Sequence, residues 1–400
     1  MSFESARMQL IKPSPSIAIS TAANAMKAAG EPVIDLAIGE PDFDTPGHII
    51  EAAYASVKRG ETRYTAPDGT PELKDAVIEK FRRENGLDFA RENITCANGA
   101  KQVLFNALMA TLEPGDEVIC PAPYWVSYTD MTLLIGGRPK VVECAIDEGF
   151  KLTPEKLEAG ITPQTRWLFL NSPSNPSGAA YTADEFRALG AVLARHQRVL
   201  VLSDEIYEQI WYADTPFTSF AEACPELADR TVIANGVSKA YAMTGWRIGY
   251  AAAPASLARV MSKVQSQSTS NPCSVSQAAA IAALTESQDF VAEARVEYRA
   301  RRDLVIDGLS RIEGIEVLSP EGAFYAYPSV AAFMGCKTPT GEEITGDTVL
   351  TQYLLQAAKV AGVHGAAFGS SPSIRFSYAQ SREHLTTAVG RLAEAFDALK

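Results

Sequence analysis

Short apolar runs alternate with amphipathic stretches along the middle of the chain. Residues 117–120, 167–170, 199–202 and 231–234 contain such runs, the first after Glu117 and the last after Thr231, and residues 248–251 are a further candidate. Runs of about four apolar residues without polar alternation are typical of strands that are buried on both faces of a sheet. Because amphipathic stretches separate them, the pattern predicts an α/β fold with a large, mostly parallel sheet flanked by helices.

Two of the intervening stretches carry clear helix signals. The first is expected to begin just after Gly99, and leucines recur there at every fourth position. The second covers residues 182–196, where Thr182 is a candidate N-cap and Glu185 follows three residues later. This spacing is that of a capping box, which satisfies the free amides of the first helical turn.

The alternation of apolar runs and amphipathic stretches ends at about residue 287. Residues 289–312 predict a long, charge-laced helix, and short elements follow until an amphipathic helix over residues 384–399. The first 46 residues are rich in Pro and Ser and fit a strap better than a core element. We therefore expect a large domain over residues 47–287 and a small α+β domain built from residues 1–46 and 288–400.

Length and charge narrow the function class. A chain of 400 residues suggests two domains, and 46 % hydrophobic with 21 % charged residues argues against disorder and coiled coil. The 36 Lys and Arg against 48 Asp and Glu give a net charge of −12. Nucleic acids and anionic membranes would be repelled by that charge, so neither is an expected partner.

Targeting and metal signals are absent from the sequence pattern. The first residues carry no apolar signal-peptide region, and no apolar run reaches the roughly 18 residues that a membrane span needs. The six cysteines are scattered without a C-x-x-C pair, and the four histidines show no metal-ligand spacing. We expect a cytoplasmic protein with reduced thiols and no bound metal.

Polar residues follow each predicted strand. In open α/β sheets, ligands bind at the carboxyl ends of the strands, so these residues should converge on one edge. The segments concerned are Asn98-Gly99-Ala100-Lys101, Pro123-Tyr124-Trp125, Asn171-Ser172-Pro173-Ser174-Asn175-Pro176, Ser203-Asp204-Glu205-Ile206-Tyr207 and Asn235-Gly236-Val237-Ser238-Lys239.

The chemistry of these segments points to a phosphorylated aromatic cofactor. Gly99 before a helix offers free amides to an anion, with Ser238 and Arg247 as further phosphate donors. Trp125 can stack on a flat ring. Asp204, at the end of an apolar strand, needs a cationic partner such as a pyridinium nitrogen, and a lysine beside it can form a Schiff base with an aldehyde.

One segment carries a family resemblance. Ser238-Lys239-Ala240-Tyr241-Ala242-Met243-Thr244-Gly245-Trp246-Arg247-Ile248-Gly249 resembles the lysine signature of class I pyridoxal-phosphate (PLP) aminotransferases, which have the fold called type I. Further matching motifs occur in the same order at residues 39–43, 64–69, 171–178, 204–207 and 374–378. The bacterial aspartate aminotransferase subgroup is the most similar.

The resemblance implies a role for each cofactor-binding residue. Lys239 would form the Schiff base and shuttle the proton, Asp204 would pair with the ring nitrogen, and Tyr207 would complete the catalytic set. Tyr207 and Asn175 would donate to the ring oxygen, and Trp125 would cover the ring.

The phosphate contacts follow in the same way. The backbone of Gly99, Ala100 and Lys101 would hold the phosphate together with Ser238 and Arg247. Tyr64 would reach it from the neighbouring subunit, which implies a homodimer with shared sites.

Substrate contacts are implied as well. Arg375 matches the arginine that binds the α-carboxylate, helped by the Gly39 backbone and by Asn175 and Trp125. Lys101 would hold a second carboxylate, which favours aspartate and glutamate with 2-oxoglutarate and oxaloacetate, in ping-pong kinetics. Lys12 also matches a lysine of prephenate aminotransferases, so conversion of prephenate to arogenate is a further expectation; a solvated lysine is the alternative there.

Other functions stay open at this point. Within PLP enzymes of the same fold, the alternatives are an aromatic or alanine aminotransferase and a carbon–sulfur β-lyase. A nucleotide-dependent oxidoreductase would need a G-x-G-x-x-G or P-loop motif after a strand, and neither is present. A non-catalytic relative would be expected to lack Lys239 or Asp204. One departure from the family is His364-Gly365, where Pro-Gly is usual, and it leaves specificity at that loop open.

Overall fold

The computed structural model describes residues 3–11, 13 and 15–399, with only the backbone of Ser16. The predicted substrate residue Lys12 lies outside the described residues. The described part confirms the predicted α/β class, since strands and helices alternate through its middle.

The strands are short, and most of them are fully buried. They are β1 (Ile34–Asp35), β2 (Ile94–Ala97), β3 (Glu117–Ala122), β4 (Arg138–Glu143), β5 (Thr165–Asn171), β6 (Leu200–Asp204), β7 (Thr231–Gly236), β8 (Gly249–Ala252), β9 (Tyr325–Ala326), β10 (Val360–Ala361), β11 (Val363–His364) and β12 (Ile374–Ser377).

Most of the remaining regular structure is α-helical, with short 3-10 helices between the α-helices and strands. The α-helices are α1 (Pro15–Ala28), α2 (Gly47–Lys58), α3 (Pro71–Asn85), α4 (Ala100–Thr111), α5 (Ser127–Ile135), α6 (Pro154–Gly160), α7 (Ala183–Leu193), α8 (Phe220–Ala223), α9 (Ala255–Ser268), α10 (Ser274–Thr285), α11 (Asp289–Leu309), α12 (Asp347–Ala357) and α13 (Arg382–Asp397). The capping box predicted before α7 is present, since Thr182 and Glu185 bond each other's backbone amides.

A seven-stranded sheet organises the middle of the chain, in the order β2-β8-β7-β6-β5-β3-β4. Its neighbours pair in parallel except at β8, which runs antiparallel to both β7 and β2. Strands β2, β3, β5, β6 and β7 therefore end at one edge, and β8 begins there. This arrangement brings the segments after the strands together, as the sequence predicts.

The sheet strands run further toward this edge than the apolar runs indicate. Strand β6 continues through Ser203 to Asp204, and β5 continues to Asn171, because Asn171 and Asp204 pair in register. Polar residues at a strand end are invisible to a hydrophobicity pattern but can still complete the backbone ladder.

The C-terminal part forms two further sheets. Strands β11, β12 and β9 make an antiparallel sheet in that order, and β1 pairs in parallel with β10. A single hydrophobic cluster joins Ile34 and Leu36 to side chains from Ala294 to Phe396, and it also includes Tyr207. The proposed domain boundaries stay a prediction, although this cluster does connect the two chain ends.

The expectation that the first 46 residues form only a strap is wrong. Helix α1 occupies part of this segment, Ala23 is fully buried, and Leu36 and Ala37 are buried beside β10. The physical reason is the apolar run from Val33 to Ala37, interrupted only by Asp35, which adds a strand to the C-terminal part. The Pro and Ser content of the segment hid that run.

Three findings concern the wider molecule. Within the described residues, no helix combines the length and the apolar character that crossing a membrane requires. Nor does that part of the chain bring three or more His, Cys, Asp or Glu side chains together as a metal site. All six cysteines are free, and four of them are buried.

Candidate active site

A cavity of about 410 Å³ opens at the edge where the strands of the large sheet end. Eleven of the predicted site residues line it: Gly39, Ala100, Lys101, Trp125, Asn175, Asp204, Tyr207, Ser238, Lys239, Arg247 and Arg375. Most of them follow strands of the seven-stranded sheet, whereas Arg375 lies on β12 of the three-stranded sheet. The convergence that the sequence predicts is therefore present in space.

Lys239 follows β7 and reaches into the cavity. Its Nζ donates a hydrogen bond to the Gly39 carbonyl oxygen at 2.5 Å. Burial lowers the pKa of Lys239 to about 8, and the positive charges of Arg375 and Arg247 act in the same direction, against Glu40. A lysine with such a pKa supplies a useful fraction of neutral amine, which is the form that attacks a carbonyl or takes a proton.

Asp204 ends β6 with its side chain only 5 % exposed. Its Oδ2 accepts from the Tyr128 hydroxyl at 2.7 Å, and its Oδ1 accepts from the Ile206 amide at 3.3 Å. Within the described ranges, no Lys, Arg or His nitrogen lies within the 4.0 Å of an ion pair with this carboxylate. Burial raises the pKa of Asp204 to about 6, although the Tyr128 hydrogen bond opposes the rise.

A buried carboxylate without a cationic partner is costly, because the interior solvates the charge poorly. A protonated pyridine nitrogen would supply the missing charge. The Asp204 carboxylate is therefore suited to pair with the protonated ring nitrogen of PLP.

An aromatic wall closes one side of the cavity. The Trp125 ring lies edge-on to the Tyr128 ring, with centroids 5.5 Å apart and an interplanar angle of 88°. Tyr128 is also edge-on to Phe169 at 5.1 Å, which fixes it against the sheet core. Because Tyr128 supports both Trp125 and Asp204, it positions two of the predicted cofactor contacts at once.

The start of α4 has features that suit an anion. Gly99 adopts φ +85°, a conformation that side chains rarely tolerate, and a Cβ atom there would lie 2.2 Å from Nη2 of Arg247. The amides of Ala100 and Lys101 open the helix and have no carbonyl partner within it. Free amides, the helix dipole and the Arg247 guanidinium together fit a phosphate group.

Two further contacts hold Arg247 beside the start of α4. Its Nη1 donates to the Thr244 carbonyl at 2.9 Å, and its Nη2 donates to the Asn98 carbonyl at 3.2 Å. Arg247 stands two residues before β8. Because β8 is antiparallel to β7, it begins at the edge where the other strands end, and Arg247 therefore lies at this edge.

Arg375 is a buried cation without an anionic partner. It is 3 % exposed, and its guanidinium donates to Asn175 Oδ1 at 2.8 Å and to the Ala37 carbonyl at 2.5 Å. Its Nε has no hydrogen-bond partner, and no carboxylate in the described part of the chain comes within ion-pair distance. A carboxylate that entered the cavity would satisfy this charge and could be held by two parallel hydrogen bonds.

Two predicted residues lie elsewhere. Gly99 stands behind the cavity wall and contributes through its backbone. Tyr64 does not line the cavity, and its side chain is 91 % exposed.

Three contributing residues escaped the sequence reasoning as individual contacts: Asn171, Tyr128 and Tyr325. Asn171 donates from Nδ2 to the Asp204 carbonyl at 2.9 Å and accepts at Oδ1 from the Asn175 amide at 2.8 Å. In the sequence, Asn171 stands only as one member of the motif over residues 171–178. Tyr128 follows Trp125 by three residues, and a turn there joins the Tyr128 amide to the Trp125 carbonyl at 3.0 Å, at the start of α5. Tyr325 sits in an apolar run and gave no local signal.

Comparison with known proteins agrees with this geometry. Residues 31–392 match the family model described as aminotransferase class I and II. The aspartate aminotransferase of Rhizobium meliloti is 54 % identical over 98 % of this chain and 96 % of its own length. The aspartate/prephenate aminotransferase of Cereibacter sphaeroides is 53 % identical over 98 % of both chains.

Solved structures give the same result. The crystal structure of the Rhizobium meliloti aspartate aminotransferase covers 100 % of both chains with a TM-score of 0.97 and 52 % identity. The Thermus thermophilus aspartate aminotransferase with maleate covers 99 % of this chain and 100 % of its own, with a TM-score of 0.92 and 41 % identity.

These comparisons confirm the resemblance, the type I fold and the PLP cofactor predicted from the sequence, and they remove the oxidoreductase alternative. The chain therefore belongs to the class I and II aminotransferases, enzymes that depend on PLP.

Proposed function

We propose that this aminotransferase moves the amino group between aspartate or glutamate and the oxo acids 2-oxoglutarate and oxaloacetate. The observation that carries the proposal is Arg375, a buried guanidinium that faces the cavity without a carboxylate partner. Amino acids and 2-oxo acids both carry a carboxylate next to the reacting carbon. One arginine can therefore bind the substrate in both halves of a ping-pong reaction.

The side-chain carboxylate of the donor needs a second positive group. Lys101 lines the same cavity, and its Nζ lies 4.8 Å from the centroid of the Trp125 ring. A carboxylate between Lys101 and the ring wall would gain a charge-assisted hydrogen bond. The names of the relatives, aspartate and aspartate/prephenate aminotransferase, support a dicarboxylic substrate.

When bound, PLP supplies an aldehyde that condenses with amines and a ring that accepts the electrons of the breaking Cα–H bond. Lys239 takes the proton from the substrate Cα and returns it, which its lowered pKa allows near neutral pH. Asp204 holds the proton on the facing ring nitrogen.

Two neutral donors and the Trp125 wall complete the binding of the cofactor. Oδ1 of Asn175 accepts a hydrogen bond from Arg375, so the Nδ2 of Asn175 is available to donate to the ring oxygen. Tyr207 donates to the same oxygen, while Gly99 and Arg247 hold the phosphate.

The test is a two-substrate assay of the holoenzyme with aspartate and 2-oxoglutarate. We expect oxaloacetate and glutamate in equal amounts, and Lys239→Ala should bind PLP yet lose this activity. Ammonia and pyruvate formed from cysteine or a β-substituted alanine without an oxo acid would instead establish the β-lyase alternative.

The second carboxylate is tested with Lys101→Met. The variant should raise the KM for aspartate about tenfold or more, the value of one charge-assisted contact, and leave the KM for alanine nearly unchanged. Equal effects on both donors would remove Lys101 from substrate binding.

We further propose a homodimer with shared sites. On α2, the side chains of Ile50, Tyr54 and Val57 are about half exposed along one face, whereas Ile49 and Ala53 on the other face are buried. Such an apolar stripe, with the exposed Tyr64 a few residues after the end of α2, fits an interface with a second copy, from which Tyr64 would reach the phosphate of the other subunit.

Mixed subunits test the shared site. Lys239→Ala and Tyr64→Ala proteins are each unfolded, mixed and refolded, and assayed at limiting PLP. The mixture should recover activity because a mixed dimer contains one site with both native residues. A monomeric mass by light scattering, or no recovery in the mixture, would refute the shared site.

Prephenate is proposed as an additional acceptor. The apolar side chains of Ile17 and Ile38 line the cavity opening and remain partly exposed, which leaves room for a ring. Formation of arogenate from prephenate and an amino donor, with loss in Lys12→Ala, is the test. The cytoplasmic location stays a prediction.

A further inference from the structure

Tyr325 occupies a central place in the cavity that no motif indicated. It begins β9, is fully buried and lines the cavity. Its hydroxyl lies 2.7 Å from the Tyr207 hydroxyl, and the centroid of its ring lies 4.7 Å from Cζ of Arg375. One side chain therefore contacts both a predicted cofactor donor and the proposed carboxylate site.

The direction of the hydrogen bond between the two phenols follows from a proton count. Each phenol has one proton to donate and can also accept. In the proposed function Tyr207 gives its proton to the ring oxygen of the cofactor, so it cannot also donate to Tyr325. Tyr325 must then be the donor of the pair.

We propose that Tyr325 is a positioning residue for transamination, which donates its hydroxyl proton to Tyr207 and thereby directs the Tyr207 proton to the ring oxygen. This inference rests on the proposed function. No other hydrogen-bond partner of the Tyr325 hydroxyl is found among the described residues, so its proton has a single destination.

The backbone fixes where this hydroxyl sits. Tyr325 pairs with Ser377 across the antiparallel sheet, and its ring packs at 4.9 Å from that of Phe324. A Cβ atom on Gly39 would lie 2.4 Å from the Tyr325 hydroxyl oxygen, so Gly39 packs directly against it. The hydroxyl thus has little room to turn away from Tyr207.

Charge strengthens the donation. Burial raises the pKa of Tyr325, and the positive charge of Arg375 opposes this rise. A cation beside the phenol polarises its O–H bond, and a donated hydrogen bond makes the accepting phenol a better donor in turn. Tyr325 would therefore strengthen the contact that Tyr207 makes with the ring oxygen.

A spectroscopic titration of the holoenzyme tests the proposal. A donor to the ring oxygen stabilises its anionic form, so loss of the donor raises the pH at which the absorbance of bound PLP changes. We expect Tyr207→Phe to raise this midpoint, and Tyr325→Phe to raise it by a smaller amount, on the order of 0.2–0.6 pH units. In the double variant, the Tyr325 change should add nothing to the Tyr207 change.

Tyr378→Phe is the matched control. Tyr378 is equally buried, and its hydroxyl donates to the Ala323 carbonyl at 3.3 Å instead of to a site residue. The control should leave the midpoint at the wild-type value, while the melting temperature of the apoprotein reports the loss of a buried hydroxyl in both variants. Gly39→Ala offers a second route, because its Cβ would displace the Tyr325 hydroxyl and should shift the midpoint only when Tyr325 is present.

The outcomes separate the two levels of inference. An unchanged midpoint in Tyr325→Phe, or shifts that add in the double variant, would refute the role of Tyr325 while transamination stands. A wild-type protein that gains no PLP absorbance would refute the proposed function itself.

Discussion

Replacing Asp204 by Asn should stabilise the apoprotein at alkaline pH while it damages the enzyme. Burial raises the pKa of Asp204 from an ordinary 3.8 to about 6 in the folded chain. The difference of about two units corresponds to about 3 kcal/mol, at 1.36 kcal/mol per unit. This is the approximate cost of ionising the buried group in the absence of a cationic partner.

The sign determines the pH window. Because the folded pKa is raised, the contribution of Asp204 to stability is complete below about pH 4 and is lost as pH rises through about 6. Asparagine does not titrate and can still accept from the Tyr128 hydroxyl. The Asp204→Asn apoprotein should therefore match the wild type at pH 4 and exceed it by about 3 kcal/mol at pH 8.

Calorimetry of the apoproteins over pH 4–8, at equal protein concentration, measures the effect. With an unfolding entropy of about 2.1 cal/mol/K per residue over 400 residues, 3 kcal/mol corresponds to a rise of about 4 °C in melting temperature. Adding PLP should reverse the order, because only the wild type then pairs its carboxylate with a cation. A stability gain that is absent at pH 8, or equally large at pH 4, would refute the reasoning.

Two substitutions and one pH profile test other parts of the site. Gly99→Ala should destabilise the apoprotein by about 1–3 kcal/mol and weaken PLP binding, because the Cβ meets Arg247; an unchanged PLP dissociation constant would contradict this. His364→Pro should be neutral or stabilise by about 0.4–1 kcal/mol, since His364 has φ −61°; a clear loss of melting temperature would contradict it. The rate at which the apoprotein combines with PLP should rise with pH through a midpoint near 8 and level off above about pH 9, as Lys239 loses its proton; a flat profile over pH 6–9 would contradict the assignment.

The positions of the site residues could be predicted because they follow strands, and strand ends meet at one edge. Lys239 and Asp204 stand after apolar runs that a hydrophobicity pattern locates well. Tyr325 could not be predicted in this way. Its partner Tyr207 is 118 residues away, and a tyrosine in a buried strand is indistinguishable from core packing until the fold brings the two hydroxyls together.

Two ionised side chains in the cavity, Asp204 and Arg375, occupy positions where protein stability alone would favour apolar residues. Asp204 and Arg375 each lie in an apolar strand, where a stable core would place a hydrophobic residue or a close ion pair. Neither has an oppositely charged partner among the described residues. Burying these two charges without partners therefore destabilises the folded chain. A cationic ring beside Asp204 and a carboxylate beside Arg375 would remove the two unfavourable contributions when they enter the cavity. Because the relief occurs on binding, the same charges that weaken the empty protein select its ligands, although the chain as a whole carries a net charge of −12.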